Sequence, residues 1–178
     1  MGRYTGIPLD NQALERPKIN GSVSSATGAE IDRVADVSAR LVAAGSALTL
    51  TTLAHDGKTI ALDTAAGSTV TLPAASGSGA RFRCVVSVIA TSNSHVIKVA
   101  NSSDIMQGFC IAAQDAGDTV VMFETTGTSD TVTLNRTTTG STQRGEWFEF
   151  EDIAANLWAV CGMIAATGTE ATPFSATV

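Results

Sequence analysis

From residue 47 onward the chain is a succession of short runs with alternating apolar positions, broken by turn residues, and that rhythm admits few folds. LTLTTL comes first, and in HDGKTIALDTAAGSTVTLP a turn at Asp56-Gly57 precedes runs in which Ile60 and Leu62 share one face, as do Val70 and Leu72. Pro73 ends that run because it has no N–H to give to a ladder. ARFRCVVSVIA, HVIKVAN, TVVMFETT and DTVTLN continue the pattern, with turns at Ser76 to Gly79, Ser92 to Ser94 and Thr126 to Ser129. WFEFEDIAANLWAVCGMI closes it as a hairpin around Ala154 to Asn156. Strands at intervals of about 8 to 12 residues predict an all-β fold, an antiparallel β-sandwich or jelly-roll-like domain over 46–178.

The first 45 residues read differently. MGRYTGIPLDNQALERPKINGSVSS carries Pro8, Pro17 and three glycines with no sustained period of 2 or 3.6, which predicts an extended N-terminal arm, 1–45 forming arm and connecting segment. Between Ala26 and Leu53 helical and strand readings compete, with strands favoured after residue 37. Isolated apolar residues along the arm suit a segment that lies on another surface, against the alternative of a loose terminus. Arg3, Tyr4, Ile7 and Leu9 are the candidate attachment residues, apolar anchors beside a base that would suit an acidic, partly apolar groove.

Charge and cysteine usage narrow the partners. The net charge is −6, and it is uneven: residues 1–45 hold five bases and five acids, and the remainder six bases against twelve acids. An acidic body repels a phosphate backbone, so no nucleic-acid partner is expected. Cys84, Cys110 and Cys161 are odd in number, widely spaced and without a CxxC pair, which suits buried free thiols in a protein made in a reducing cytoplasm. No apolar run reaches the ~20 residues that span a bilayer, so no membrane partner is expected. Aromatics are only 5% of residues, and a domain with so few large anchors would gain from burial between subunits.

Catalytic chemistry finds little footing. His55 and His95 each sit in a turn-to-strand context away from other metal-ligand types, so no metal or cofactor is expected, and no G-x-S-x-G elbow or P-loop lysine occurs. Glu146, Glu149, Glu151 and Asp152 cluster, as a glycosidase carboxylate pair would. Glu149 and Glu151 nevertheless alternate with Phe148, Phe150 and Ile153 as the polar face of a strand does, and a solvent-facing rim is the expectation. Trp147, Phe148, Phe150 and Trp158 are four of the nine aromatics, gathered in one hairpin that is expected to supply core packing or a subunit contact.

Four segments carry a resemblance: GSTVTLPAASGSGARFRCVVS at 67–87, TSNSHVIKVANSSDIMQG at 91–108, DTVTLNRTTTG at 130–140 and RGEWFEFEDIAANLWAV at 144–160, together with the ending GTEATPFSATV. In that order they resemble tailed-bacteriophage virion proteins, among them capsid decoration or cement proteins. The resemblance implies a homotrimer on the outer capsid surface of a virion, contacting the major capsid protein and fastened partly by an N-terminal arm. The function expected on this basis is binding without turnover: many copies bridging capsomers and stabilising the shell, not an enzyme. A phage fibre or receptor-binding module that recognises a host-surface glycan is the alternative, since TLP and W-x-V motifs are shared with fibres.

Overall fold

The computed structural model describes residues 40–115 and 119–178, together with the backbone of two short strands nearer the N-terminus. Two compact units divide the chain, Met1–Val37 and Ser38–Val178. In the first, β1 (Lys18–Ile19) pairs antiparallel with β2 (Ser22–Val23), Lys18 opposite Val23. Arg3, Tyr4, Ile7 and Leu9, and the rest of the expected extended arm apart from these two strands, lie outside the described residues.

The second unit is all-β. Its strands are β3 (Leu41–Ala43), β4 (Ala47–Thr49), β5 (Thr59–Leu62), β6 (Thr69–Thr71), β7 (Arg81–Val86) and β8 (His95–Lys98). They are followed by β9 (Ile105–Ala113), β10 (Val120–Glu124), β11 (Thr131–Leu134), β12 (Trp147–Ala154), β13 (Leu157–Ala165) and β14 (Phe174–Ser175). A helical turn, α1 (Thr52–His55), follows β4, its first free amides capped where the Thr51 hydroxyl accepts from the Ala54 N–H. Thus the run Leu48–Leu53, read from sequence as strand, is strand only in its first part. The unit also starts ahead of the boundary expected after residue 45, because β3 pairs with β5.

Two sheets pack into a sandwich: seven strands in the order β10-β9-β13-β12-β7-β5-β3 and five in the order β14-β11-β8-β6-β4. The sheets are mixed. Antiparallel pairing, as expected, joins β9 to β10, β7 to β12 to β13, and β8 to β11 to β14. Parallel pairing joins β3 to β5 to β7, β4 to β6 to β8, and β9 to β13. The cause lies in the route of the chain. From β3 to β8 each successive strand falls in the opposite sheet, so next-but-one strands become neighbours running the same way. Parallel neighbours need a crossover connection of a dozen or more residues, and a strand of the facing sheet supplies it in place of a helix.

The core lies between the sheets. Ile60, Leu62, Phe82, Val86, Met106, Phe148, Phe150 and Trp158 point inward from the larger sheet; Val70, Ile97, Val132, Leu134 and Phe174 answer from the smaller. Phe82 and Trp158 lie with ring centroids 5.8 Å apart, and Phe148 meets Phe174 edge-on at 6.0 Å across the sandwich. The Phe148 ring covers Gly162, its register partner, where a Cβ would come within 2.5 Å of the ring. Small residues on one strand therefore make room for rings on the next.

Candidate functional site

The inward and outward faces of β12 separate what the sequence had grouped. Phe148 and Phe150, with Trp158 on β13, are fully buried and belong to the core. Trp147 has the opposite parity and stands half-buried on the outer face of the seven-stranded sheet, where the Arg83 guanidinium lies 4.8 Å from the centre of its ring. Glu149 and Glu151 share that outer face, as expected for a rim, and Glu151 pairs with Arg81 at 2.8 Å. Ile153 belongs there too, exposed beside the glutamates instead of alternating with them.

Asp152 departs from the rim. Its parity is that of Phe148 and Phe150, and it is buried, accepting hydrogen bonds from the backbone N–H groups of Ser76, Gly77 and Ser78 and from the hydroxyls of Ser76 and Ser78, at 2.7 to 3.1 Å. Burial alone would push its carboxyl up, yet these donors outweigh it and hold the group down at about 2. Glu146, at the other end of β12, is also buried and accepts the N–H groups of Ser141, Thr142 and Gln143 at 2.6 to 2.7 Å. Asp104 accepts from Ala75 N–H and the Asn101 amide, and Asp130 from the Thr177 and Val178 N–H groups. These carboxylates grip loops and the C-terminal segment; they are structural anion caps for backbone that has no ladder partner.

The histidines are likewise local. His95 is buried with Nδ1 accepting from Ser68 N–H at 3.0 Å and Nε2 2.9 Å from the Val88 carbonyl, which fixes the proton on Nε2. Burial holds its pKa below the usual value, against the opposing pull of the Val88 bond and of Glu146 and Asp63. His55 accepts from Thr51 N–H at Nδ1 within α1. Among the described residues no group of three or more His, Cys, Asp and Glu is placed to hold a metal ion, and no helix is long and apolar enough to cross a membrane.

What remains as a surface able to recognise something is the outer face of the larger sheet. Register places Met122, Ile111, Met163, Trp147 and Val85 in one row across β10, β9, β13, β12 and β7. The next row runs Glu124, Phe109, Cys161, Glu149 and Arg83. Val120, Met122, Met163 and Phe109 are 67%, 60%, 52% and 48% exposed, so the β10–β9–β13 half of this face is apolar and open to solvent. The β12–β7 half is charged. A shallow pocket of about 250 Å³ opens there among Gly57, Lys58, Thr59, Arg81, Arg83 and Glu149.

Sequence reasoning missed this apolar half, because β9 was not recognised as a strand and the faces of β10 were not assigned. The signal was present in parity: Val120 and Met122 alternate with Phe123, which packs on the core, and therefore face out. Comparison with protein-family models, with curated proteins and with solved structures finds no match to this chain.

Proposed function

We propose that the chain is a structural virion protein, a decoration or cement protein that binds the outer surface of a phage capsid, contacts the major capsid protein and stabilises the shell by bridging capsomers, assembled as a homotrimer. The observation that supports this reading is the apolar half of the outer sheet face, where Phe109, Val120, Met122 and Met163 are exposed together on a rigid sheet. A contiguous patch of that kind marks a contact surface. The interior supports it as well: the buried carboxylates are engaged in fastening loops, which suits a protein whose task is to hold its shape while bound. Stabilisation of a shell by many modest contacts follows from mass action and multivalency.

Sedimentation with undecorated capsids tests the proposal. The full chain pellets with capsids; a Phe109→Ser/Met163→Lys double variant loses most of its occupancy while keeping its far-ultraviolet dichroism, and removal of the first 20 residues weakens attachment further. Unchanged occupancy for all three forms would sink the reading.

A second reading, a fibre or receptor-binding module for a host-surface glycan, draws on a different observation: the pocket lined by Lys58, Arg81 and Arg83, with the Arg83 guanidinium against the Trp147 ring. Specific binding of an acidic glycan, lost in Arg83→Ala, would favour it over capsid attachment.

A further inference from the structure

We infer that the open edge of β10 is a two-fold contact at which a second copy of this chain adds its own β10, continuing the seven-stranded sheet into its partner. This inference rests on observations separate from the functional reading above, and it is compatible with the homotrimer proposed there only where two trimers join through three such contacts into a hexamer.

Strand β10 ends the larger sheet, and among the described residues nothing pairs with its far side. Its hydrogen-bonding directions follow from its neighbours. The Thr119 carbonyl accepts from Gln114 N–H and the Thr125 N–H donates to the Gly108 carbonyl, so odd-numbered residues of this segment face β9. Val120, Met122 and Glu124 therefore direct their N–H and C=O groups to the open edge. Edges of this kind are ordinarily blunted by lysine, proline or a bulge. β10 reads VVMFE, without lysine or proline, and its register with β9 runs unbroken from Val120 to Glu124.

The strand is also complementary to itself. Antiparallel pairing about a two-fold axis with Met122 opposite Met122 sets Val120 opposite Glu124 and Val121 opposite Phe123. All three open-edge residues of each copy then fall in hydrogen-bonded pairs, about six bonds in all. The strand's one charge is at its end, so the two Glu124 side chains stand about 14 Å apart along the strands, beyond the ~10 Å Debye length at 0.1 M salt. Neither like-charge contact nor an isolated buried carboxylate arises. The exposed Met122 side chains meet each other on the outer face, with Val120 of each copy beside the partner's Glu124, continuous with Phe109 and Met163 of each copy.

Light scattering on the full chain, with hydrogen exchange of the β10 amides, tests this. The expected mass is an even multiple of the chain, and the amides of Val120, Met122 and Glu124 are protected in it. Met122→Pro removes the central donor on the open side, where the intramolecular ladder does not use it, and Met122→Lys sets two cations face to face on the axis. Both variants should halve the mass and deprotect Val120 and Glu124, with the amides of Val121 and Phe123 still protected by β9. An odd-numbered or monomeric wild-type assembly overturns the inference, as does an unchanged mass in soluble variants. Should neither variant fold, fast exchange at Val120, Met122 and Glu124 in the wild-type assembly overturns it alone. Protection of these amides in a monomer, or only after capsids are added, assigns the edge to another occupant and overturns it equally.

Discussion

Gly108 and Val160 face each other across the parallel β9–β13 pair so closely that a Cβ on Gly108 would stand 1.8 Å from the Val160 carbonyl oxygen. The backbone at Gly108 also has φ of +151°, and its N–H and C=O are turned to the Thr125 hydroxyl and the Thr125 N–H. A residue with a side chain meets both a clash with backbone and an unfavourable conformation. Overpacking and backbone strain each cost about 1–3 kcal/mol, so Gly108→Ala should lower stability by about 2–6 kcal/mol. Urea unfolding measures this, with Gly127→Ala as the control. No atom lies within 4 Å of a Cβ at Gly127, and its change should stay within about 0.5 kcal/mol. Equal midpoints for the two variants would contradict the close approach.

That same glycine explains part of what the sequence hid. Strand β9 carries Gln107-Gly108 in its middle and exposes Phe109 while burying Cys110, so polar and apolar residues do not alternate along it. Strands β7, β8, β12 and β13 were legible because one of their faces is the more buried, which stamps a period of 2 on the sequence, and β11 because Val132 and Leu134 alternate with threonines, although Thr131 is buried too. The parallel pairings were not legible: alternation reports which face is buried and carries no record of which strand lies alongside. Of the site, Glu149 and Glu151 were placed correctly by parity. Parity applied strictly would also have moved Trp147 outward and Asp152 inward, since Asp152 is a carboxylate at a core-parity position, the mark of a buried structural anion. The loop amides it binds, 76 positions distant in the case of Ser76, leave no local trace.

Asp152 gives a pH dependence with a definite sign. Its folded pKa of about 2 lies below the ordinary 3.8, so the unfolded chain binds more protons on this site between those values. The carboxylate's contribution is complete above about pH 4 and is lost as pH falls toward about 2. Asp152→Asn replaces an ion that accepts five donors with an amide that presents N–H₂ to some of them, and should cost about 2 kcal/mol at pH 7. The stability gap between wild type and variant should shrink as pH is lowered from about 4 to about 2 in chemical-denaturation series. A gap constant with pH would mean that the charge is not what holds the 76–78 loop.

His95 acts in the same direction at higher pH. Burial lowers its pKa, and a second proton would have to enter at Nδ1, where Ser68 N–H now donates. The unfolded chain therefore takes up a proton as pH falls below about 6.5 while the folded chain resists, so stability is full above that pH and declines beneath it. Imidazole ¹⁵N shifts should show the Nε2–H tautomer of the folded protein persisting to lower pH than in the unfolded chain. His95→Gln should remove the slope of stability against pH in this interval, and a folded-state imidazolium forming at the same pH as in the unfolded chain would refute the assignment.

The three thiols divide by where their strands place them. Cys84 and Cys110 are buried, and burial pushes both up to about 12, while Cys161 is partly exposed on the outer face between Phe109 and Glu149. Burial and then Glu149 raise Cys161 as well, so even the accessible thiol is a slow nucleophile at neutral pH. A disulfide exchange reagent at pH 8 should therefore modify one thiol in the native protein, slowly and faster with rising pH, and all three in denaturant. Glu149→Gln removes the neighbouring negative charge and should accelerate the native reaction without exposing the other two. Mass mapping of the labelled site checks the assignment. Rapid native labelling of Cys84 or Cys110 would show that the β7 or β9 face opens to solvent, contrary to the burial of both in the core with Phe148 and Trp158.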